Sequence, residues 1–140
     1  MQNVSRRTFM KESSVALAGA GLAATGLPQV PAAPPASLFV HHVYFWLKNP
    51  DSAEDRARLL KGLQTLPTIK LIQTAHIGVP ADTNRPVIDT SYHFSLLLLF
   101  KDRQDQDAYQ VHPVHDRFRE QCSPFWTQVR IYDSVGEDAP

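Results

Sequence analysis

Cysteine is all but absent from this 140-residue chain, with Cys122 as its only copy. No intramolecular disulfide framework can form, and a zinc site built on several cysteines is excluded. The chain also lacks a charge excess, carrying 14 Lys and Arg against 14 Asp and Glu. That balance argues against an electrostatic nucleic-acid binder, which carries a basic surplus. Nor is there an apolar run of the ~20 residues that a membrane span needs. The length leaves room for one domain rather than two.

The composition is uneven. Residues 1–36 hold eight of the 14 alanines, four of the 11 prolines, three basic residues and one acidic residue. Without them, 104 residues remain with 11 basic and 13 acidic groups. The chain opens on Ser5-Arg6-Arg7-Thr8-Phe9-Met10-Lys11, continues with an Ala- and Gly-rich apolar run from Ser14 to Leu27, and then turns Pro- and Ala-rich up to Ala36. A charged start, a short apolar middle and a small-residue end are the layout of a secretory signal. The twin arginine followed by Phe and Lys resembles the bacterial Tat signal, a receptor-read address. Residues 1–36 are therefore expected to be a Tat signal peptide and spacer, with the Tat export machinery as a partner, a periplasmic or secreted destination and no stable membrane anchor. Cys122 lies between apolar positions and reads as a small core filler, suited to an oxidising compartment.

The rest of the chain reads as four strands and two helical regions. Leu38–Lys48 is aromatic and β-branched, and Asn49-Pro50-Asp51 ends it. Asp51 or Ser52 then caps a helix, with Glu54 or Asp55 as capping-box partner. Its apolar stripe runs over Ala53, Ala57, Leu59, Leu60, Leu63 and Leu66, up to Pro67. Ile69–Ile77 and Ser91–Phe100 alternate as strands, separated by a loop over 78–90. A polar helical region from Lys101 is interrupted by Pro113 and resumes from Val114 to Cys122. Gln128–Ser134 is the last strand, and residues 136–140 form a tail.

This order, β-α-β-β-α-β, is the ferredoxin-like split unit, an α+β fold with one antiparallel sheet and helices on one face. Two strands are apolar on both sides. Leu97 and Leu99 oppose Phe94, Leu96, Leu98 and Phe100, while Tyr44 and Trp46 oppose Val43, Phe45 and Leu47. Helices cover one face, and burying each large side chain is worth ~1.5–3 kcal/mol. A second copy packed sheet to sheet covers the other, so a homodimer through the sheet face is expected.

The densest chemistry lies in Tyr109-Gln110-Val111-His112-Pro113-Val114-His115-Asp116-Arg117-Phe118. It places a phenol, two imidazoles and a carboxylate within eight positions. Histidine suits acid–base work near neutral pH, and tyrosine can polarise a carbonyl oxygen. Read as a helix, 112–118 would set His112, His115 and Arg119 along one side. His112 beside Pro113 also reads as a helix-break residue. His112 and His115, two His separated by two residues with Asp116 beside them, offer a weak metal pattern with no further ligand in view, so no metal site is assigned. His41 and His42 point to opposite faces of their strand; His42 is the pocket candidate because it shares its face with Tyr44 and Trp46.

Val40 to Ser134 resembles the stress-response A/B barrel (Dabb) family. The resemblance rests on His42-Val43-Tyr44-Phe45-Trp46-Leu47-Lys48, on Phe100 followed by an acidic turn and Tyr109-x-x-His112-Pro113-x-His115, and on the closing Trp126–Asp133 strand. It implies a dimeric α+β barrel over residues 37–135. The family includes a plant polyketide cyclase, olivetolic acid cyclase, which closes its substrate by aldol condensation with no metal or organic cofactor. Its catalytic Tyr and His match Tyr109 and His115, and its apolar pocket residues match Phe118 and Trp126. Tyr44, Trp46 and Leu96 fall on its pocket-lining strand positions. Phe94 stands where the cyclase has a His, and Tyr44 and Trp46, larger than their counterparts, would narrow the cavity.

Two function classes follow. One is a small exported stress-response or ligand-binding dimer with an aromatic pocket for a small apolar or carbonyl-containing ligand. The other is a cofactor-independent cyclase or isomerase of carbonyl compounds, with His115 as base, Tyr109 as hydrogen-bond donor, and Trp126, Phe118 and Trp46 excluding water. A cofactor-free monooxygenase is a third reading, by fold analogy alone.

Overall fold

A computed structural model of the protein describes residues 35–137. Apart from its last two residues, the signal expected over 1–36 lies outside the described residues. So does the end of the expected tail.

Strand β1 (Phe39–Leu47) is followed by helix α1 (Ala53–Leu63), β2 (Ile72–Gly78), β3 (Phe94–Phe100), helices α2 (Arg103–Gln110) and α3 (Pro113–Cys122), and β4 (Trp126–Val135). The four strands form one antiparallel sheet in the order β2-β3-β1-β4. This is the ferredoxin-like α+β fold expected from the element order.

β1 alternates strictly between buried and half-buried positions. Phe39, His41, Val43, Phe45 and Leu47 face the helices, opposite Phe94, Leu96, Leu98 and Phe100 of β3. Leu59, Leu63 and Leu66 close this core from above, each fully buried. Val40, His42, Tyr44 and Trp46 emerge on the other face, next to Leu97 and Leu99.

Local chemistry sets the boundaries. Ser52 caps α1 by accepting from the Asp55 amide at 3.1 Å. The Asp55 carboxylate takes the Asn49 side-chain amide at 2.8 Å rather than closing a capping box. Ala53 and Ala57 are exposed, so the buried stripe begins only at Leu59. The expected start of β2 at Ile69 is displaced to Ile72, because Leu66–Thr68 forms a 3₁₀ turn with Ile69 sealed beneath it. β3 likewise starts at Phe94 rather than Ser91. His93 instead ties its own amide to the Phe45 carbonyl and accepts the Leu47 amide on Nδ1, each at 2.9 Å. Pro113 opens α3 at the position where a missing N–H costs nothing.

α1 meets α3 at Gly62, where an added Cβ would collide with Cys122 Sγ and press on Phe118 at 3.2 Å. Cys122 is 3% exposed, the core filler its neighbours suggested. Gly62→Ala, normally stabilising in a helix, should here cost about 1–3 kcal/mol through overpacking. Adding Cys122→Ala should recover part of that loss. Urea denaturation of the two variants checks this, and equal stability of Gly62→Ala and the parent protein would refute it.

Candidate functional site

A cavity of about 330 Å³ lies between the helix-facing side of the sheet and α2–α3. Its apolar wall is Val43, Phe45, Leu96, Phe118, Trp126, Val129 and Ile131. Its polar groups are His41, Tyr109, Gln110, His115 and Arg119. Phe118 and Trp126 stand 5.8 Å apart between ring centres, and Phe45 closes the triangle at 6.2 and 5.3 Å.

Tyr109 comes from the last turn of α2 and His115 from the first turn of α3. The break at His112–Pro113 folds the two helices so that the rings meet at 4.3 Å and 30°. Tyr109 is 1% exposed. Burial pushes its phenol well above the ordinary tyrosine range, with a weaker opposing effect of Arg119. The side chain is therefore a neutral hydrogen-bond donor throughout the physiological range.

His115 Nδ1 donates to the Gln110 carbonyl at 3.2 Å. A carbonyl oxygen can only accept, so the proton sits on Nδ1 and the Nε2 lone pair is free. Burial lowers the imidazole pKa, the Gln110 hydrogen bond opposes this, and Arg119 and His41 lower it further. His115 is thus a neutral base in a fixed tautomer, beside a phenol that stays protonated.

His41 completes the polar side. It is 3% exposed, and its Nδ1 donates to Asp133 Oδ1 at 2.6 Å. The carboxylate fixes the imidazole orientation, and the ring meets Tyr109 edge-on at 5.9 Å. Asp133 lies on β4 directly opposite His41 in the sheet register.

The residues expected to form one pocket are divided by the structure. Tyr109, His115, Leu96, Phe118 and Trp126 share the cavity. His42, Tyr44 and Trp46 lie on the opposite face of the sheet, because alternation puts even-numbered β1 side chains there. They neither line the cavity nor narrow it, and Trp46 excludes no water from it. Phe94 is buried under the Arg56 guanidinium, 4.6 Å from its ring centre, and belongs to the core. His112 is the N-cap of α3: its Nδ1 accepts the Val114 amide at 3.2 Å, which removes it from the pocket. His41 and Asp133 do not stand out in the sequence: the phase of β1 groups His41 with Val43, Phe45 and Leu47, but only the packed fold shows that the helices cover that side and that Asp133 lies opposite. No group of three or more His, Cys, Asp or Glu among the described residues is placed to hold a metal ion. No helix among them is long and apolar enough to cross a membrane.

Because burial holds His115 neutral, the unfolded chain binds its proton more tightly than the folded one. The stability that His115 allows is complete above pH ~6.5 and declines as pH falls from there toward its lowered folded pKa. The parent protein should therefore lose stability relative to His115→Gln between pH 7.5 and 5 in urea titrations. A pH-independent difference between the two would contradict the buried neutral imidazole.

The family model described as Stress Responsive A/B Barrel Domain (Dabb) matches residues 39–135. No curated protein sequence matches the chain. Among solved structures, it is similar to a Dabb family protein with a ferredoxin-like fold from Mesorhizobium loti, at 25% identity and a TM-score of 0.59, over 70% of this chain and 95% of that one. A dimeric protein of unknown function with a ferredoxin-like fold from Bacteroides fragilis is similar at 19% identity and a TM-score of 0.55, over 71% and 96% of the two chains. Hydroxynitrile lyase from Passiflora edulis is similar at 15% identity and a TM-score of 0.61, over 76% and 99%.

Proposed function

The chain belongs to the Stress Responsive A/B Barrel Domain (Dabb) family, and from that premise we propose that it is an exported homodimer whose helix-side cavity binds a small carbonyl compound and shifts a proton on it. One observation carries the reading: a neutral His115, its tautomer set by the Gln110 carbonyl, has its ring centre 4.3 Å from that of the protonated Tyr109 phenol at the wall of a largely apolar cavity.

The chemistry follows from those two groups. His115 Nε2 takes a proton from the carbon next to the carbonyl. The C–H electron pair becomes the enolate double bond, and negative charge moves onto oxygen. Tyr109 donates a hydrogen bond to that oxygen, in surroundings that strengthen it by excluding water. Returning the proton to another carbon isomerises the compound. Alternatively, attack of the enolate carbon on a second carbonyl of the same chain forms a carbon–carbon bond and closes a ring, as the second C=O π pair moves onto its oxygen, which takes back the proton held by His115. His41, held by Asp133, supplies a second imidazole at the polar wall to orient the carbonyl chain. The reaction balances without a metal or organic cofactor. The Passiflora lyase, an enzyme by its name, supports the fold as a scaffold for chemistry.

A ligand-binding role without turnover uses the same cavity and differs only in whether His115 moves a proton. Deuterium exchange into a small β-dicarbonyl compound, followed by NMR, separates the two. His115→Gln should slow exchange by about 10²–10⁴-fold, with Tyr109→Phe also slower and the circular dichroism unchanged. Exchange at the parental rate in both variants would leave only binding.

Dimerisation rests on the outer face, where Val40, Tyr44, Trp46, Leu97 and Leu99 are only half covered. The Bacteroides structure, described as dimeric, shares the fold. Sedimentation equilibrium at micromolar concentration should return twice the subunit mass, and a clean monomer would overturn this. Export rests on the Arg6-Arg7 motif and the apolar run behind it, and a buried, protonated Cys122 suits an oxidising compartment.

A further inference from the structure

The chemistry proposed for the cavity gives no part to Arg119, the one permanently charged side chain among the residues that line it. Arg119 follows His115 by four residues, so the two share one face of α3. Its guanidinium donates to the Asp116 carboxylate, three residues back. The side chain therefore runs along the helix toward its N-terminus, over the turn that carries His115. From there its charge acts on both Tyr109 and His115, second to the larger effect of burial on each.

This position is a mouth rather than a floor. The Arg119 side chain is 55% exposed, and Ile131 of β4, which lines the same cavity, is half exposed as well. Both lie on the helix side of the sheet, away from the face that a second copy covers. No Asp or Glu lines the cavity. Asp133 is bound to His41, and Asp116 takes one amino group of a guanidinium that has five N–H donors. Two half-exposed partners three residues apart make a weak pair that an incoming anion can displace.

We propose that the ligand of this cavity is a keto acid, its carboxylate held at the mouth by Arg119 while its carbonyl reaches Tyr109 and His115. The inference rests on the reading of the cavity as a carbonyl site and adds the charge of the compound. A carboxylate matches the planar guanidinium fork with two parallel hydrogen bonds. At a half-exposed mouth it keeps part of its water, so it escapes the cost of burying a charge. One guanidinium balances one negative charge. His115 is neutral, so a phosphate dianion would find no second cation there, and an ammonium ligand would meet a like charge. The apolar remainder of the acid then packs on Phe118 and Trp126.

The probe is sodium 4-oxo-4-phenylbutanoate, which carries a ketone, a carboxylate and an apolar ring, compared with the methyl ester of the same acid. Titration calorimetry on the full chain should show the acid bound about tenfold more tightly than the ester. Arg119→Gln should abolish that preference, and Arg119→Lys should restore part of it, through charge without the fork. Asp116→Asn should increase it by removing the internal competitor. The inference is overturned if the parent protein fails to bind the acid, if it binds the ester as well as the acid, or if Arg119→Gln keeps the preference. Exchange of a neutral β-dicarbonyl compound with no preference for the acid would sink this inference and leave the proton shift standing. An Arg119-dependent preference without exchange would do the reverse.

Discussion

The alternation of β1 is the constraint from which both faces of this molecule follow. β1 is hydrogen-bonded on both sides, to β3 and to β4, so its register is fixed from two directions. Successive side chains must then enter different surroundings. His41 is carried under the helices, next to Tyr109 and the carboxylate of Asp133. His42, one residue on, is carried to the aromatic face, where its ring lies 4.5 Å from Tyr44. A slip of one residue would exchange the two sets and place Tyr44 and Trp46 in the core.

The cavity owes its chemical character to burial acting on neutral groups. A buried phenol resists ionisation and a buried imidazole resists protonation, so the same low-polarity surroundings make one a donor and the other a base. The Gln110 carbonyl then decides which imidazole nitrogen is available. The break between α2 and α3 makes this possible. In an unbroken helix the Gln110 carbonyl would accept the Val114 amide. Here Pro113 and the His112 cap end α2, and that carbonyl meets His115 instead.

Much of this was legible in the residues. The element order follows from apolar periods and from turn residues such as Asn49-Pro50-Asp51. Tyr109 and His115 stand out because two acid–base side chains flank a proline that must bend the chain between them. Phe118, Trp126 and Leu96 follow as apolar lining. In the sequence His42, Tyr44 and Trp46 read as members of the same pocket, because aromatic and imidazole side chains look like lining wherever they fall. Alternation separates His41 from His42 in the sequence, but it does not say which phase the helices cover. His112 was ambiguous for a similar reason, since an imidazole can cap a helix or line a site.

The ferredoxin-like order, the helix break at Pro113 and the pairing of a phenol with an imidazole across it are legible along the chain, because these depend on neighbours within a few residues. The tertiary structure alone decided that His41, and not His42, faces Tyr109, and that Asp133 holds it. The His41–Asp133 contact joins residues 92 positions apart, brought together only when β4 pairs with β1. It also decided that Tyr44, Trp46, Tyr92 and Tyr132 converge with Asp89 on the far face. Their convergence depends on where the loop after β2 crosses the end of β1, and no local period in the chain encodes that crossing.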